Sequence, residues 1–228
     1  MLDTTSRPDF FTRYDGGKAP LAFSQGEYAR RLKTLRKIME QRDIPVVVMT
    51  SMHNVAYYSG FLYCAFGRPY ACVVTQDACT TVSANIDGSQ PWRRSFCDNV
   101  IYTDWKRDNF GRAIAELTKN AGRIGVEGDH LTLAARDNLT DILGNPELVD
   151  IAPDTMQARM IKSPEEIALI KEGARIADVG VRQFATRSVL AHAKLTWPWP
   201  GAMRWSWKSP VVILTVNCAI PGSGFNRV

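Results

Sequence analysis

The run Val46–Met49 constrains the fold of this chain more than any other stretch. It consists of three valines and a methionine with no polar residue between them. A strand with one solvated face alternates apolar and polar residues, so this unbroken run predicts a strand buried on both faces. An amphipathic helix is predicted just before it, over Gln25–Gln41, with a capping box formed by Ser24 and Glu27. A strand that needs cover on both faces, next to helices, predicts an α/β architecture.

The alternation of helices and strands continues through the first 160 residues. Further strands are predicted at 71–75, 80–84, 100–103, 123–127 and 147–151, and helices at 51–59, 108–120 and 131–143. Residues 85–98 are predicted to be a loop or a short helix. Residues 1–20 lack any periodicity and are predicted to be a flexible arm. The interleaved elements predict one α/β domain over 21–160, with a mixed β-sheet flanked by helices.

A second helix start follows this domain. Ser163 is placed to cap a helix, Pro164 occupies its first position, and Glu165 and Glu166 lie in its first turn. The pattern predicts that 161–186 form a hinge and the first helix of a further domain. The two glutamates could be paired catalytic carboxylates, but their place in the first turn already accounts for them as helix-start charges.

The net charge of +5 belongs to the end of the chain. Residues 187–228 hold five of the 28 basic residues and no acidic one, which leaves 23 basic against 23 acidic residues in the remainder. Because residues 1–186 carry no net charge, they lack the excess of positive charge that is typical of a protein that binds nucleic acid or an anionic membrane. No apolar run reaches the roughly 18 residues of a spanning helix, and the N-terminus does not resemble a secretory signal. We expect a cytoplasmic protein with neither kind of partner.

The cysteines and histidines show no metal-ligand spacing. An odd number of cysteines without a C-x-x-C motif predicts reduced thiols, and argues against both a zinc site and a disulfide framework. The histidines His53, His130 and His192 are far apart in the sequence. No nucleophile–base pair is recognisable, so we expect no cofactor, no metal and no catalytic residue. The five cysteines are Cys64, Cys72, Cys79, Cys97 and Cys218.

The stretch 61–74, FLYCAFGRPYACVV, is the candidate binding site. It places Arg68 on a turn between Gly67, which allows a tight approach, and Pro69, which favours an extended backbone before it. A guanidinium can bind a carboxylate through two parallel hydrogen bonds, and a neighbouring ring can stack on a cation of the same ligand. The alternative is a surface turn beside core aromatic residues. The rings in and near the stretch are Tyr58, Phe61, Tyr63, Phe66 and Tyr70.

Five stretches of the chain resemble known sequences, over about residues 20–181. Four resemble the bacterial creatinases, and the fifth resembles the wider creatinase/prolidase/aminopeptidase P superfamily. The four are HNVAYYSGFLYCAFGRPYACVVT (53–75), SANIDGSQPWRR (83–94), YTDWKRDN (102–109) and RIGVEGDHL (123–131), and the fifth is RMIKSPEEIALIKEGARIADVG (159–180).

The resemblance implies a ribonuclease-H-like N-terminal domain ahead of a larger "pita-bread" catalytic domain, in a homodimer. It implies hydrolysis of creatine to sarcosine and urea without a metal, by histidine and acidic residues of the catalytic domain. In this family a Phe and an Arg of an F-G-R turn contact the substrate in the partner subunit, and Phe66 and Arg68 match them. The alternatives are another pita-bread hydrolase, such as an Xaa-Pro peptidase, and a non-catalytic binding module.

The tail, residues 187–228, departs from the family. The likeness stops around 180–191, and the tail has four of the six tryptophans and no acidic residue. A shifted reading frame, either in the gene or through a sequence error, accounts for this composition. We therefore expect a truncated chain that lacks the catalytic domain and is inactive alone.

Overall fold

The computed structural model describes residues 7–14, 16–62, 67–88 and 90–194, with side chains described as far as Arg182. A seven-stranded mixed sheet forms its centre, in the order β1-β5-β4-β3-β2-β6-β7. The strands are β1 (Phe10–Thr12), β2 (Val46–Met49), β3 (Ala71–Thr75), β4 (Cys79–Ala84), β5 (Asp98–Tyr102), β6 (Arg123–Val126) and β7 (Glu147–Asp150).

The helices cover the two faces of this sheet. They are α1 (Gln25–Gln41), α2 (Met52–Ser59), α3 (Gln90–Arg93), α4 (Asn109–Thr118), α5 (Leu133–Ile142), α6 (Ala152–Met160) and α7 (Pro164–Lys194), with a short 3-10 turn at Asn85–Asp87. The compact unit that contains the sheet ends at Arg175. The boundaries predicted near residues 160 and 186 stay predictions.

Strand β2 is buried on both faces, as its unbroken apolar sequence predicts. Val46 and Val48 join the core formed with α4 and α5, whereas Val47 and Met49 join the core formed with α1 and α2. The strand pairs antiparallel with β3 and parallel with β6. The predicted α/β fold with a mixed sheet between helices is therefore confirmed.

The helix starts at Ser24, Ser51 and Ser163 are also confirmed, but only half of the capping box predicted for α1 forms, because the backbone N–H of Ser24 donates to Glu165 Oε2 rather than to Glu27. Ser24 Oγ accepts a hydrogen bond from the backbone N–H of Glu27 at 3.1 Å. Ser51 and Ser163 cap α2 and α7 in the same way, at 3.2 Å each. Each serine satisfies a backbone donor that has no partner inside its helix, which fixes where the helix begins.

The prediction of a flexible arm over 1–20 is wrong for residues 10–12. These residues form the edge strand β1, which pairs antiparallel with β5 so that Phe10 lies opposite Tyr102. Further along, Lys18 Nζ donates hydrogen bonds to the carbonyl oxygens of Ser95 and Cys97, at 2.9 and 2.7 Å. A three-residue strand is too short for a period-two pattern, and its partner lies about 90 residues away, so nothing local indicates it.

Two further expectations need correction. No helix was predicted where α6 lies, and β5 begins at Asp98 rather than at residue 100. The early start of β5 follows from its parallel pairing with β4, in which Thr80 lies opposite Asp98. Both features depend on contacts between residues far apart in the sequence, which a local sequence pattern does not reveal.

The prediction of reduced thiols is wrong for two cysteines. Cys79 and Cys97 form a disulfide that joins the start of β4 to the segment before β5. The parallel register of β4 and β5 brings the two residues side by side, and neither an odd count nor motif spacing can reveal such a pairing. Cys72 is buried and free, whereas Cys64 and Cys218 lie outside the described residues.

Candidate functional site

The turn that carries Arg68 is fixed by its neighbours. Gly67 has φ +80°, in the left-handed region that side chains other than glycine's rarely adopt. The carbonyl oxygen of Pro69 accepts a hydrogen bond from the Tyr102 hydroxyl at 3.0 Å. The turn is therefore tied to strand β5, and it holds the backbone of Arg68 at the surface.

Arg68 forms an ion pair with Asp104. Its Nη1 lies 3.1 Å from Asp104 Oδ1, and the two side chains are 47% and 32% exposed. An ion pair this accessible to water contributes little stability, typically about 0–1 kcal/mol. A carboxylate from a ligand can therefore compete with Asp104 for the guanidinium.

The surroundings of Arg68 carry acidic groups as well as this cation. Burial, and then the charge of Asp104, raise the pKa of Asp87 above its ordinary value. Burial and Asp104 also raise the pKa of Tyr102, while Arg68 opposes that rise. The site thus presents a guanidinium that can bind a ligand's carboxylate, and close to it protein carboxylates that can bind a ligand's cation. This arrangement suits a ligand that bears both charges.

A cleft of about 230 Å³ lies beside Arg68, lined partly by strand ends and partly by helix α5. Its lining includes Thr50, Tyr70, His130 and Leu139. His130 is exposed, and its backbone N–H donates to the carbonyl oxygen of Glu127 at 3.2 Å. The spacing of His130 in the sequence suggests no metal site, and the fold places it on the same cleft as Arg68.

The aromatic residues of the stretch divide into two groups. Tyr58, Phe61 and Tyr70 are buried, so for these three the interpretation as core aromatics is correct. The rings of Phe61 and Tyr70 pack with centroids 5.9 Å apart. Tyr63 and Phe66 lie outside the described residues. The contact of Phe66 with a ligand therefore stays a prediction.

Sequence reasoning missed Asp104 as the partner of Arg68. The two residues are 36 positions apart, and Asp104 follows the last residue of β5 by two positions. The pairing depends on the tertiary turn that brings Arg68 over β5. One signal could have indicated this pairing. Asp104 lies in the stretch YTDWKRDN, which is one of the stretches that carry the family resemblance.

A second arginine, Arg31, lies at the centre of a buried ionic cluster. It donates hydrogen bonds to Glu27 Oε1 at 2.8 Å, to the Tyr57 carbonyl oxygen at 2.9 Å and to Glu166 Oε1 at 3.1 Å. The rings of Phe23 and Tyr57 flank its guanidinium, with centroids 4.1 and 4.2 Å away. We call these five residues the Arg31 cluster. Its donors face partners from the protein itself, so it serves the fold.

The Arg31 cluster fastens the start of α7 to α1. Glu166 belongs to it, and the neighbouring Glu165 accepts hydrogen bonds from Ser24 N and Oγ at 2.9 and 2.6 Å. Hydrogen bonds from Arg30, and then from Arg31, lower the pKa of Glu27 to about 2. The explanation of Glu165 and Glu166 as helix-start charges was therefore incomplete, because both also bind the neighbouring helix.

Glu127 is a buried carboxylate with a structural environment. It accepts hydrogen bonds from the backbone N–H groups of Thr50 and Ser51 at 2.6 and 2.7 Å, and from Asn54 Nδ2 at 2.6 Å. These donors form the N-terminal end of α2, where a negative charge is stabilised by the helix dipole. Glu127 therefore holds α2 against β6 rather than facing a ligand.

Comparison with known proteins gives one family. The profile of the Creatinase/Prolidase N-terminal domain matches residues 31–161. The chain is 53% identical over 169 residues to the creatinase of a Bacillus species, which covers 72% of this chain and 41% of that protein. It is 26% identical over 202 residues to an uncharacterised hydrolase/peptidase of Sinorhizobium fredii. The chain thus spans less than half the length of the creatinase that it matches.

Solved structures share the fold. The prolidase from Pyrococcus furiosus matches with a TM-score of 0.55 and 25% identity, over 66% of this chain and 44% of that one. The Xaa-Pro dipeptidase from Bacillus anthracis matches with a TM-score of 0.58 and 19% identity, over 70% and 43%. In the part of the chain that the structure describes, every helix is too short or too polar to cross a membrane.

Proposed function

Because the chain belongs to the creatinase/prolidase N-terminal domain family, we propose that it is the substrate-contacting domain of a creatinase-like hydrolase. The observation that carries the proposal is Arg68, held on a fixed turn with an exposed and exchangeable carboxylate partner. The 53% identity to a creatinase supports creatine as the substrate.

In the proposed site, Arg68 binds the carboxylate of creatine, and Phe66 contacts the substrate at the same end. A guanidinium–carboxylate pair has the planar, two-bond geometry that a small carboxylic acid needs for orientation. The reaction, creatine plus water to sarcosine plus urea, is carried out by a catalytic domain of the partner subunit in a homodimer. The site needs no metal and no cofactor in this scheme. Nucleic acid and membranes are not expected partners.

The domain organisation is also a proposal. Residues 21–160 form the N-terminal domain, 161–186 the hinge and first helix of the catalytic domain, and 187–228 a tail in a shifted frame. The chain alone is then inactive, so urea release from creatine by the purified chain would overturn this part. The nucleotide sequence across codons 178–228 tests the shifted frame. A cytoplasmic location stays a prediction. The expectation of reduced thiols no longer supports it, because Cys79 and Cys97 form a disulfide.

A hybrid enzyme tests the proposed function. Residues 1–181 would replace the equivalent part of the Bacillus creatinase, whose own catalytic domain would supply the chemistry. We expect the hybrid to release urea from creatine and to leave Xaa-Pro dipeptides intact. A folded, dimeric hybrid without activity on creatine would contradict the proposal.

The second candidate function is that of an Xaa-Pro peptidase domain. It is favoured by the solved neighbours, which are proline-specific peptidases and share the fold of this chain. The matching experiment joins residues 1–181 to the catalytic domain of the prolidase from Pyrococcus furiosus. Cleavage of an Xaa-Pro dipeptide by this hybrid, together with an inactive creatinase hybrid, would favour the peptidase.

A further inference from the structure

Three cysteine sulfurs meet on the sheet face that packs against α1 and α2. Cys72, Cys79 and Cys97 have their sulfur atoms within 4.8 Å of one another. Cys79 and Cys97 are joined by a disulfide, and Cys72 Sγ lies 3.7 Å from Cys79 Sγ. Cys72 and Cys79 lie on neighbouring strands and on the same face, because Val74, two residues from Cys72, pairs with Cys79. The cluster therefore contains a bonded pair and a third sulfur in contact with it.

The surroundings of the three cysteines can accommodate the reduced thiols as well as the disulfide. Cys97 Sγ lies 3.9 Å from the carbonyl oxygen of Tyr58, an acceptor that a thiol can use and a disulfide sulfur cannot. Cys79 is partly exposed at the start of β4, whereas Cys72 and Cys97 are buried. Cys79 is therefore the residue of the pair nearest to solvent, where a small thiol would approach the disulfide, and the released Cys97 thiol has a partner.

We propose that Cys72, Cys79 and Cys97 form a reversible redox site, in which Cys79 pairs with Cys97 and Cys72 is the alternative partner of Cys79. The oxidant is a low-molecular-weight disulfide. Cys79 and Cys97 each give up a proton and together two electrons, one sulfur–sulfur bond forms between them, and the oxidant's own bond breaks to give two small thiols. Reduction reverses this through a mixed disulfide at Cys79.

The electrostatics decide the order of these steps. Burial raises the pKa of the Cys72 thiol to about 12, so Cys72 is protonated near pH 7 and does not attack the disulfide by itself. Attack therefore starts from a thiolate in solution. Cys72 becomes a competitor for Cys79 when Cys97 is absent or the pH is high.

The redox state has a structural route to the candidate binding turn. The backbone N–H of Phe96, next to Cys97, donates to the carbonyl oxygen of Ser59 at 2.6 Å. Ser59 ends α2, and the stretch that carries Phe66 and Arg68 begins two residues later. The disulfide thus braces the segment against which α2 ends. The redox site itself does not depend on the proposed function.

Peptide mapping of the full chain tests the proposal. The native chain is equilibrated with oxidised glutathione or with reduced dithiothreitol, quenched in acid, alkylated under denaturing conditions, digested and analysed by mass spectrometry. We expect a Cys79–Cys97 link and an alkylated Cys72 in the first sample, and alkylation of all three cluster cysteines in the second. Three free thiols in both samples would overturn the proposal. A link that native dithiothreitol leaves intact would equally overturn it, because the bridge would then be inert.

Two serine variants separate the roles of the three sulfurs. In C97S, oxidised glutathione should produce a Cys72–Cys79 link, and thiols at both positions would overturn the role of Cys72. In C72S, the matched control, the Cys79–Cys97 link should remain and should respond to dithiothreitol as in the parent chain. Loss of that link in C72S would overturn the assigned pairing. The mapping of the parent chain stays decisive where a variant fails to fold.

Discussion

Arg31 and Arg68 both pair with carboxylates, yet they occupy opposite environments. The side chain of Arg31 is 1% exposed and lies among two glutamates, a backbone carbonyl and two rings. The side chain of Arg68 is 47% exposed and pairs with Asp104 at the surface. A guanidinium whose hydrogen-bond donors are buried and already paired within the protein stabilises the fold and is not available to a ligand. One with an exposed partner can exchange that partner for a ligand.

The largest effect that this comparison predicts follows Arg31→Ala. The change leaves Glu27 and Glu166 buried without their cation, and breaking such a pair costs about 3–5 kcal/mol. Urea denaturation would measure the loss in the free energy of unfolding. Arg30→Ala is the control, because Arg30 binds the same Glu27 through a side chain that is 46% exposed, so a smaller loss than for Arg31→Ala is expected. Equal losses for the two variants would break the comparison.

Glu166→Gln should cost less than Arg31→Ala, because Arg31 keeps its bond to Glu27. The loss of a hydrogen bond between charged groups is worth about 1.5–3 kcal/mol. Denaturation measured beside Glu165→Gln gives a matched pair, since Glu165 is exposed and binds Ser24. We expect the smaller loss for Glu165→Gln, and the reverse order would argue that the buried bridge does not fasten α7.

Acid should weaken the Arg31 cluster through Glu27. The pKa of Glu27 falls from an ordinary 4.5 to about 2 in the folded chain, so the folded state favours the charged carboxylate. The resulting stability is present above about pH 4.5 and is lost as the pH falls toward 2. Urea denaturation between pH 6 and pH 3 should show this loss, and Glu27→Gln should reduce its slope. An unchanged slope would remove Glu27 as its source.

The smallest stability effect is expected for Asp104→Asn. The variant removes an exposed ion pair, so the free energy of unfolding should change by about 1 kcal/mol or less. In the creatinase hybrid, the same variant should lower KM for creatine, because the carboxylate no longer competes with Asp104 for Arg68. A raised KM would instead show that Asp104 positions the arginine.

Local patterns were enough for much of the fold. The bounds of α1 and β2 follow from a capping serine and an apolar run, which act within a few residues. The edge strand β1, the Cys79–Cys97 bond and the pairing of Arg68 with Asp104 join residues 18 to about 90 positions apart. Such contacts depend on the register of the whole sheet, which one sequence does not reveal. The family resemblance was enough to predict Arg68 as a site residue, whereas the residues around Arg68 are known only from the fold.

The central claim is that Arg68 binds the substrate carboxylate and leaves the fold unaffected. The most direct measurement is KM for creatine in the hybrid enzyme, compared between the parent and Arg68→Ala, with the thermal midpoint of both. Loss of a charged hydrogen bond worth about 1.5–3 kcal/mol predicts a KM raised roughly 10- to 150-fold with an unchanged midpoint. An unchanged KM would contradict the account and remove Arg68 from the site.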